Sequence, residues 1–176
     1  MTSDNPNHTI RIGTPDDAAL LADLGARTFR EVFAAFLPPS DLESYVAAMY
    51  NPARQTEELA NPLRTFIIVE HEGAAAGYAL LLAHELNPAA LCENPVELER
   101  IYLLQSSVGR GLGTVLMRAC IEESRRGGHT SIWLQVWEGN TRAMAFYRKM
   151  GFGSVGEKEK MVGTQTSRDI IMARKL

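Results

Sequence analysis

From Val96 to Arg126 the chain reads VELERIYLLQSSVGRGLGTVLMRACIEESRR, a strand that runs through three glycines into an amphipathic helix. No other stretch narrows the fold as much. Over Val96–Leu104 alternation sets Glu97, Glu99, Ile101 and Leu103 on one face, and Leu98, Arg100 and Tyr102 on the other. Gly109, Gly111 and Gly113 then allow a tight turn, and the helix runs to Arg125-Arg126 before Gly127-Gly128 stops it. A long apolar strand feeding a helix so abruptly points to an α/β sheet.

The flanking segments agree with that class. TIRIGTPDDAALLADLGARTF predicts a short strand and then a helix, with Thr14 as its cap, Pro15 in the first position, and Asp16 and Asp17 complementing the positive end. Leu21, Leu24, Thr28, Val32 and Phe36 recur at helical spacing. Ser40 and Glu43 spell a capping box for a second helix with Leu42, Tyr45, Val46 and Met49 on its apolar face, and NPARQTEELANP predicts a third. From Thr65 the period shortens, and TFIIVE and AGYALLLAHE read as a hairpin around Glu72-Gly73. NPAALCENP is a loop. After the glycine turn and its helix, TSIWLQVW is a strand, NTRAMAFYRKM a helix closed by Gly151, and two strands finish the chain around VGTQT. The expected fold is a mixed, mostly antiparallel sheet of six to seven strands flanked by helices, with the strand–glycine turn–helix at its centre. One domain over residues 1–176 is expected, with residues 1–8 flexible.

Charge and composition exclude several partners. A formal net charge of -3 supplies no broad field for capturing nucleic acid or an anionic membrane, so any anion site must be local. Cys92 and Cys120 have no metal-ligand spacing, His8, His71, His84 and His129 are scattered, and no metal is expected. The opening MTSDNPNHTI lacks the basic-then-apolar order of a signal peptide, and the apolar run Ala74–Ala83 is too short to cross a bilayer. These features lead to the expectation of a soluble, cytoplasmic protein.

Glycines between a strand and a helix can present backbone N–H groups to one point at the positive helix end, which suits phosphate. Arg110 can add charge there; the plainer reading is that the glycines serve only the turn. A nucleoside triphosphate loop needs GxxxxGK[ST], and here Thr114 follows Gly113 with no lysine. A dinucleotide fingerprint needs GxGxxG and an acidic residue about 20 positions later. The spacing here is GxGxG, and Glu138 is only a loose match.

The turn resembles the pyrophosphate loop of the GNAT acetyltransferase superfamily, [QR]-x-x-G-x-[GA], as Val108-Gly109-Arg110-Gly111-Leu112-Gly113, with valine in the first position. WLQVWEGNTRAMAFYRKMGF resembles that family's late strand–loop–helix, whose pattern N-x-x-A-x-x-F-Y-x-x-x-G-F is met at Asn140, Ala143, Phe146, Tyr147, Gly151 and Phe152. Within the superfamily, LERIYLLQ, VWEGN and Gly77-Tyr78 are most similar to bacterial polyamine acetyltransferases of the PaiA type.

The resemblance implies transfer of acetyl from acetyl-CoA to a primary amine: a polyamine, another small amine, or a protein N-terminus or lysine. It implies Tyr147 as general acid, where the plain alternative is a core aromatic. Glu97 and Glu99 are candidates for the base, since an alkylamine near pKa ~10 is protonated at neutral pH; their alternative is a solvated edge charge or an ion pair with Arg100. It implies backbone contacts from Ile101 and Leu103 to the pantetheine arm, with the Leu103 N–H polarising the thioester carbonyl. Val108, Gly109, Arg110, Gly111, Leu112, Gly113 and Thr114 would cradle the pyrophosphate. Asn140 would bond the cofactor, cap its helix, or do both. Arg118, Arg142, Arg148 and Lys149 are unranked candidates for the 3′-phosphate. For the acceptor pocket the candidates are Phe29, Phe33, Phe36, Tyr45 and Tyr50, with Glu31, Asp41 and Glu43 as acidic attractors. A homodimer is compatible with the resemblance. A non-catalytic acyl-CoA sensor and a dinucleotide enzyme are the other readings.

Overall fold

The computed structural model describes residues 7–83, 94–162 and 165–176. Its elements are β1 (His8–Ile12), α1 (Ala18–Phe33), α2 (Pro39–Met49), α3 (Pro52–Ala60), β2 (Arg64–His71), β3 (Ala74–Leu82), β4 (Pro95–Leu103), α4 (Leu112–Arg126), β5 (Ser131–Trp137), α5 (Thr141–Lys149), β6 (Gly153–Val162) and β7 (Gln165–Lys175). The strands lie in the order β1-β2-β3-β4-β5-β7-β6. β1 runs antiparallel to β2, and β7 antiparallel to both β5 and β6, while β4 and β5 are parallel, with Glu97 opposite Trp133. The class is the expected one, a mostly antiparallel open α/β sheet with five α-helices among the described residues. Most of the expected loop after β3, with His84 and Cys92, and the turn at Gly163-Thr164 lie outside the described residues. No helix among the described residues is long and apolar enough to cross a membrane.

The chain packs as two compact units, residues up to Leu80 with Arg100–Ala119, and Leu81–Glu99 with Cys120–Leu176. The first opens with β1. β1 already includes His8, and the Asn7 carbonyl accepts the Glu72 N–H at 3.0 Å. Thr14 and Pro15 act at a short 3-10 turn, Pro15–Asp17, ahead of α1. There Asp17 accepts the Thr14 N–H at 2.7 Å and a two-pronged bond from Arg11 at 2.8 and 2.9 Å. α1 buries Leu21, Leu24, Thr28 and Phe29, but it ends at Phe33, so Phe36 lies beyond it and is 59% exposed. Leu21, Leu24, Phe66, Ile68, Tyr78, Leu80 and Leu104 form one core cluster.

α2 corrects the expected capping box. Pro38 is the N-cap, Pro39 starts the helix, and Ser40 lies inside it. Glu43 instead takes two hydrogen bonds from Arg30, at 2.8 and 2.7 Å. The helix begins where proline has no N–H to lose, so the box residues are out of register with the helix end. The hairpin turn is as expected: Glu72 and Gly73 both have positive φ, 52° and 80°.

In the second unit β5 buries Ile132, Trp133, Leu134 and Val136. β7 contributes Ile171 and Met172. Arg174 donates to the Met150 carbonyl at 2.6 Å, tying β7 to the end of α5.

Candidate active site

The exit of β4 is held in place before the glycines begin. The Leu104 N–H donates to the Ala76 carbonyl at 2.9 Å, and the Gln105 N–H to a Glu31 carboxylate oxygen at 2.7 Å. A Cβ at Gly77 would collide with the Tyr102 carbonyl and the Leu103 side chain, so only glycine lets β3 lie this close. After a 3-10 turn, Gln105–Ser107, the chain passes Val108 in an extended conformation and enters Gly109 and Gly111 at φ 86° and 81°. A Cβ at either would meet nothing within 4 Å, so backbone conformation demands glycine here, and the turn has open space around it.

Gly111 directly precedes α4, and its carbonyl accepts from the N–H groups of Thr114 and Val115 at 3.0 and 3.2 Å. Having no side-chain oxygen, it cannot itself cap the N–H groups of Leu112 and Gly113. That arrangement suits an external anion such as phosphate. Leu112, Leu116 and Met117 are buried and anchor the start of the helix. The Arg110 side chain turns to His71, with Nη1 3.2 Å from Nε2, while Nδ1 of the same ring lies 2.7 Å from the Asn7 carbonyl. An arginine only donates and a carbonyl only accepts, so these contacts need the Nδ1–H tautomer. Nothing in the sequence had marked His71.

Along β4 the alternation is as expected, with Val96, Leu98 and Arg100 buried and Glu97, Glu99, Ile101 and Leu103 half-buried. Arg100 reaches across to a helix. Its guanidinium forks onto Glu58 of α3 at 2.7 and 3.0 Å and lies 5.7 Å from the centre of the Tyr50 ring. Burial alone would raise the Glu58 pKa, but the hydrogen bonds and charge of Arg100 hold it below the usual carboxylate range. The signal for a buried partner was present: an arginine on the apolar face of a central strand must be paired. The identity of that partner was not. Beside it Tyr78 is 1% exposed, its phenol pushed up in pKa chiefly by burial and opposed by the Arg100 charge and the Tyr50 hydroxyl. Glu97 accepts from the Gln135 amide at a long 3.4 Å.

The aromatic residues assigned to the acceptor side divide. Phe29 stacks on Tyr45 at 4.4 Å and packs against Phe33 at 4.4 Å and Tyr50 at 5.6 Å, whereas Phe36 is on the exposed link after α1. Of the acidic attractors, Glu31 is bonded to Gln105 and Glu43 to Arg30, while Asp41 is exposed in the first turn of α2.

In the second unit Asn140 is the N-cap of α5, its side-chain oxygen accepting from the Ala143 N–H at 3.1 Å. Its Nδ2 amide is the group that can donate to a cofactor. Tyr147 lies between Phe146 and Phe152, with ring centres at 5.6 and 6.0 Å. Its pKa is pushed up to about 12, first by desolvation and then by the neighbouring Cys120. Cys120 is fully buried, and burial raises its own pKa, so the thiol stays neutral and desolvation is the cause that counts. Arg118, Arg142, Arg148 and Lys149 are all exposed. Among the described residues no group of three or more His, Cys, Asp or Glu is gathered to hold a metal.

Residues 27–152, which include β4, the glycine turn and α5, match the acetyltransferase (GNAT) family. The chain belongs to that family. This GNAT protein is an N-acetyltransferase with acetyl-CoA as co-substrate, which displaces the dinucleotide reading. It is 32% identical over 160 residues to an uncharacterized N-acetyltransferase of Mycobacterium bovis, covering 91% of this chain and 98% of that one. To the N-alpha-acetyltransferase RimI of Mycobacterium tuberculosis it is 28% identical over 160 residues, covering 91% and 87%. Among solved structures its fold is similar to the PaiA N-acetyltransferase of Thermoplasma acidophilum in complex with coenzyme A. The TM-score is 0.77 at 20% identity, covering 96% of this chain and 99% of that one.

Proposed function

We propose that residues 1–176 act as one domain that transfers acetyl from acetyl-CoA to the primary amine of a small molecule, with polyamines the first acceptors to test. The observation that carries the reading is the glycine turn: two positive-φ glycines with open space around them, leading into a helix whose N-cap has no side-chain oxygen. In this reading the backbone N–H groups of Val108–Thr114 hold the pyrophosphate. The strand edge at Ile101 and Leu103 holds the pantetheine arm, and Asn140 adds a bond through its Nδ2. Acetyl-CoA supplies an acetyl group already activated as a thioester. The Leu103 N–H stabilises the charge that gathers on the acetyl oxygen. Glu97 or Glu99 takes up the amine proton, directly or through water. Tyr147 gives its hydroxyl proton to the departing sulfur. At about 12 its pKa keeps the phenol protonated throughout the physiological range, while making it a weaker acid than a free tyrosine. The domain works in the cytoplasm, as a monomer or a homodimer.

A protein N-terminus is the second reading, supported by the likeness to the N-alpha-acetyltransferase over most of both chains. The test is free-thiol release from acetyl-CoA with spermidine, spermine, amino acids, aminoglycosides and short peptides. Turnover with the polyamines supports the first reading, and turnover with peptides alone supports the second. Silence with coenzyme A binding intact points to an acyl-CoA sensor; no binding at all removes the reading of the turn. With a working acceptor, Tyr147→Phe should lower kcat about 100-fold and leave coenzyme A affinity within about twofold. Unchanged turnover would end the acid assignment.

A further inference from the structure

We infer that Glu31 is a positioning residue for the phosphate-binding turn, holding it in shape from the last turn of α1. The inference rests on the reading that the turn binds coenzyme A. Leu104 is the N-cap of the 3-10 turn Gln105–Ser107, and a leucine has no side-chain oxygen with which to cap. The missing acceptor comes from 74 positions away: the Glu31 carboxylate takes the Gln105 N–H at 2.7 Å. A carboxylate at an exposed helical N–H is a charge-assisted bond at the favourable end of a small dipole.

Three constraints then converge on three consecutive residues. The Ala76 carbonyl holds the Leu104 N–H, the bare Cα of Gly77 lets Leu103 lie against β3, and Glu31 holds Gln105. Downstream, the Val108 N–H returns to the Gln105 carbonyl at 3.2 Å, so the residue that Glu31 grips also sets the entry to Gly109. Gly109 and Gly111 have no side chains to lock their conformation. A turn made permissive by glycine needs its ends fixed from outside, and Glu31 fixes the upstream end.

Capping requires an oxygen at the right reach, whereas attraction of a cationic acceptor requires only charge. Glu31→Gln keeps the reach and loses the charge; Glu31→Asp keeps the charge on a side chain one methylene, about 1.5 Å, shorter. Coenzyme A affinity is measured by calorimetry for the intact chain and for Glu31→Ala, Glu31→Asp and Glu31→Gln, with amide hydrogen exchange followed in the absence of ligand. The expected result is about tenfold weaker binding for the Ala and Asp variants, recovery to within about threefold in Gln, and about tenfold faster exchange at Gln105–Val108 in Ala. Exchange along β5 and β7 should not change. Equal affinity in all four proteins overturns the inference, as does retention by Asp with loss in Gln. Should the unaltered chain not bind coenzyme A, the reading of the turn fails on its own. The exchange data then decide the tether, and unaltered exchange at Gln105 overturns it.

Discussion

Removing Glu58 should be among the most damaging single changes in the first unit. Arg100 is 7% exposed and Glu58 3%, so Glu58→Ala removes the 2.7 and 3.0 Å bonds and the countercharge from a buried guanidinium. Breaking one side of a buried pair costs about 3–5 kcal/mol, which for a chain of this length lowers the melting midpoint by roughly 6–20 °C. Arg54, 3.1 Å from Glu58, also loses that contact, but it is 41% exposed, keeps Glu57 at 3.8 Å and is compensated by water. Urea unfolding at pH 7, followed by both fluorescence and circular dichroism, measures the loss. The double variant Glu58→Leu with Arg100→Met replaces the pair by apolar groups and should recover most of it. The cost should also depend on pH. The native pKa of Glu58 lies below its unfolded value, so its contribution is full above about pH 4.3 and fades as the pH falls through the native pKa. A loss under about 1 kcal/mol for Glu58→Ala, or a double variant no better than the single, would refute the claim that burial makes this pair indispensable.

Other perturbations test other parts of the molecule. Gly111→Ala should cost about 1–2 kcal/mol through φ alone and weaken coenzyme A binding, whereas Gly153→Ala, also in open space but without a positive φ, should change stability by less than about 0.5 kcal/mol; equal effects at the two positions would deny the conformational argument. Asp17 is held at about 2, chiefly by hydrogen bonds from Arg11. Its pKa is lowered on folding, so its contribution is complete above the unfolded value near pH ~3.9 and is lost toward pH 2. Allowing for the partly exposed Arg11, the loss should be roughly 1–2 kcal/mol, absent in Asp17→Asn, and read by urea unfolding across that range.

Much of the local structure was legible because its causes lie within a few residues. The Glu72-Gly73 hairpin, the glycine stops at Gly128 and Gly151, and the Asn140 cap each follow from a residue's own torsions or its bond to a neighbour. Ser40 and Glu43 misled because the same pattern also serves a surface ion pair, and the position of Arg30 across from α2 cannot be read from spacing. In the candidate site the turn and the half-buried Glu97 and Glu99 were legible from glycine spacing and alternation. The contacts that hold the site were not: Glu31 to Gln105, Arg110 to His71, and Arg100 to Glu58.

The chain's own order of residues determined where strands, helices and the glycine turn must occur, because hydrophobic period and backbone torsion act along the chain. Tertiary structure alone decided that β7 enters between β5 and β6, that β4 and β5 run parallel, and which distant carboxylate meets each buried or exposed donor. Several acids along the chain could satisfy Arg100 or the Gln105 N–H by charge, and only the folded distances select Glu58 for one and Glu31 for the other.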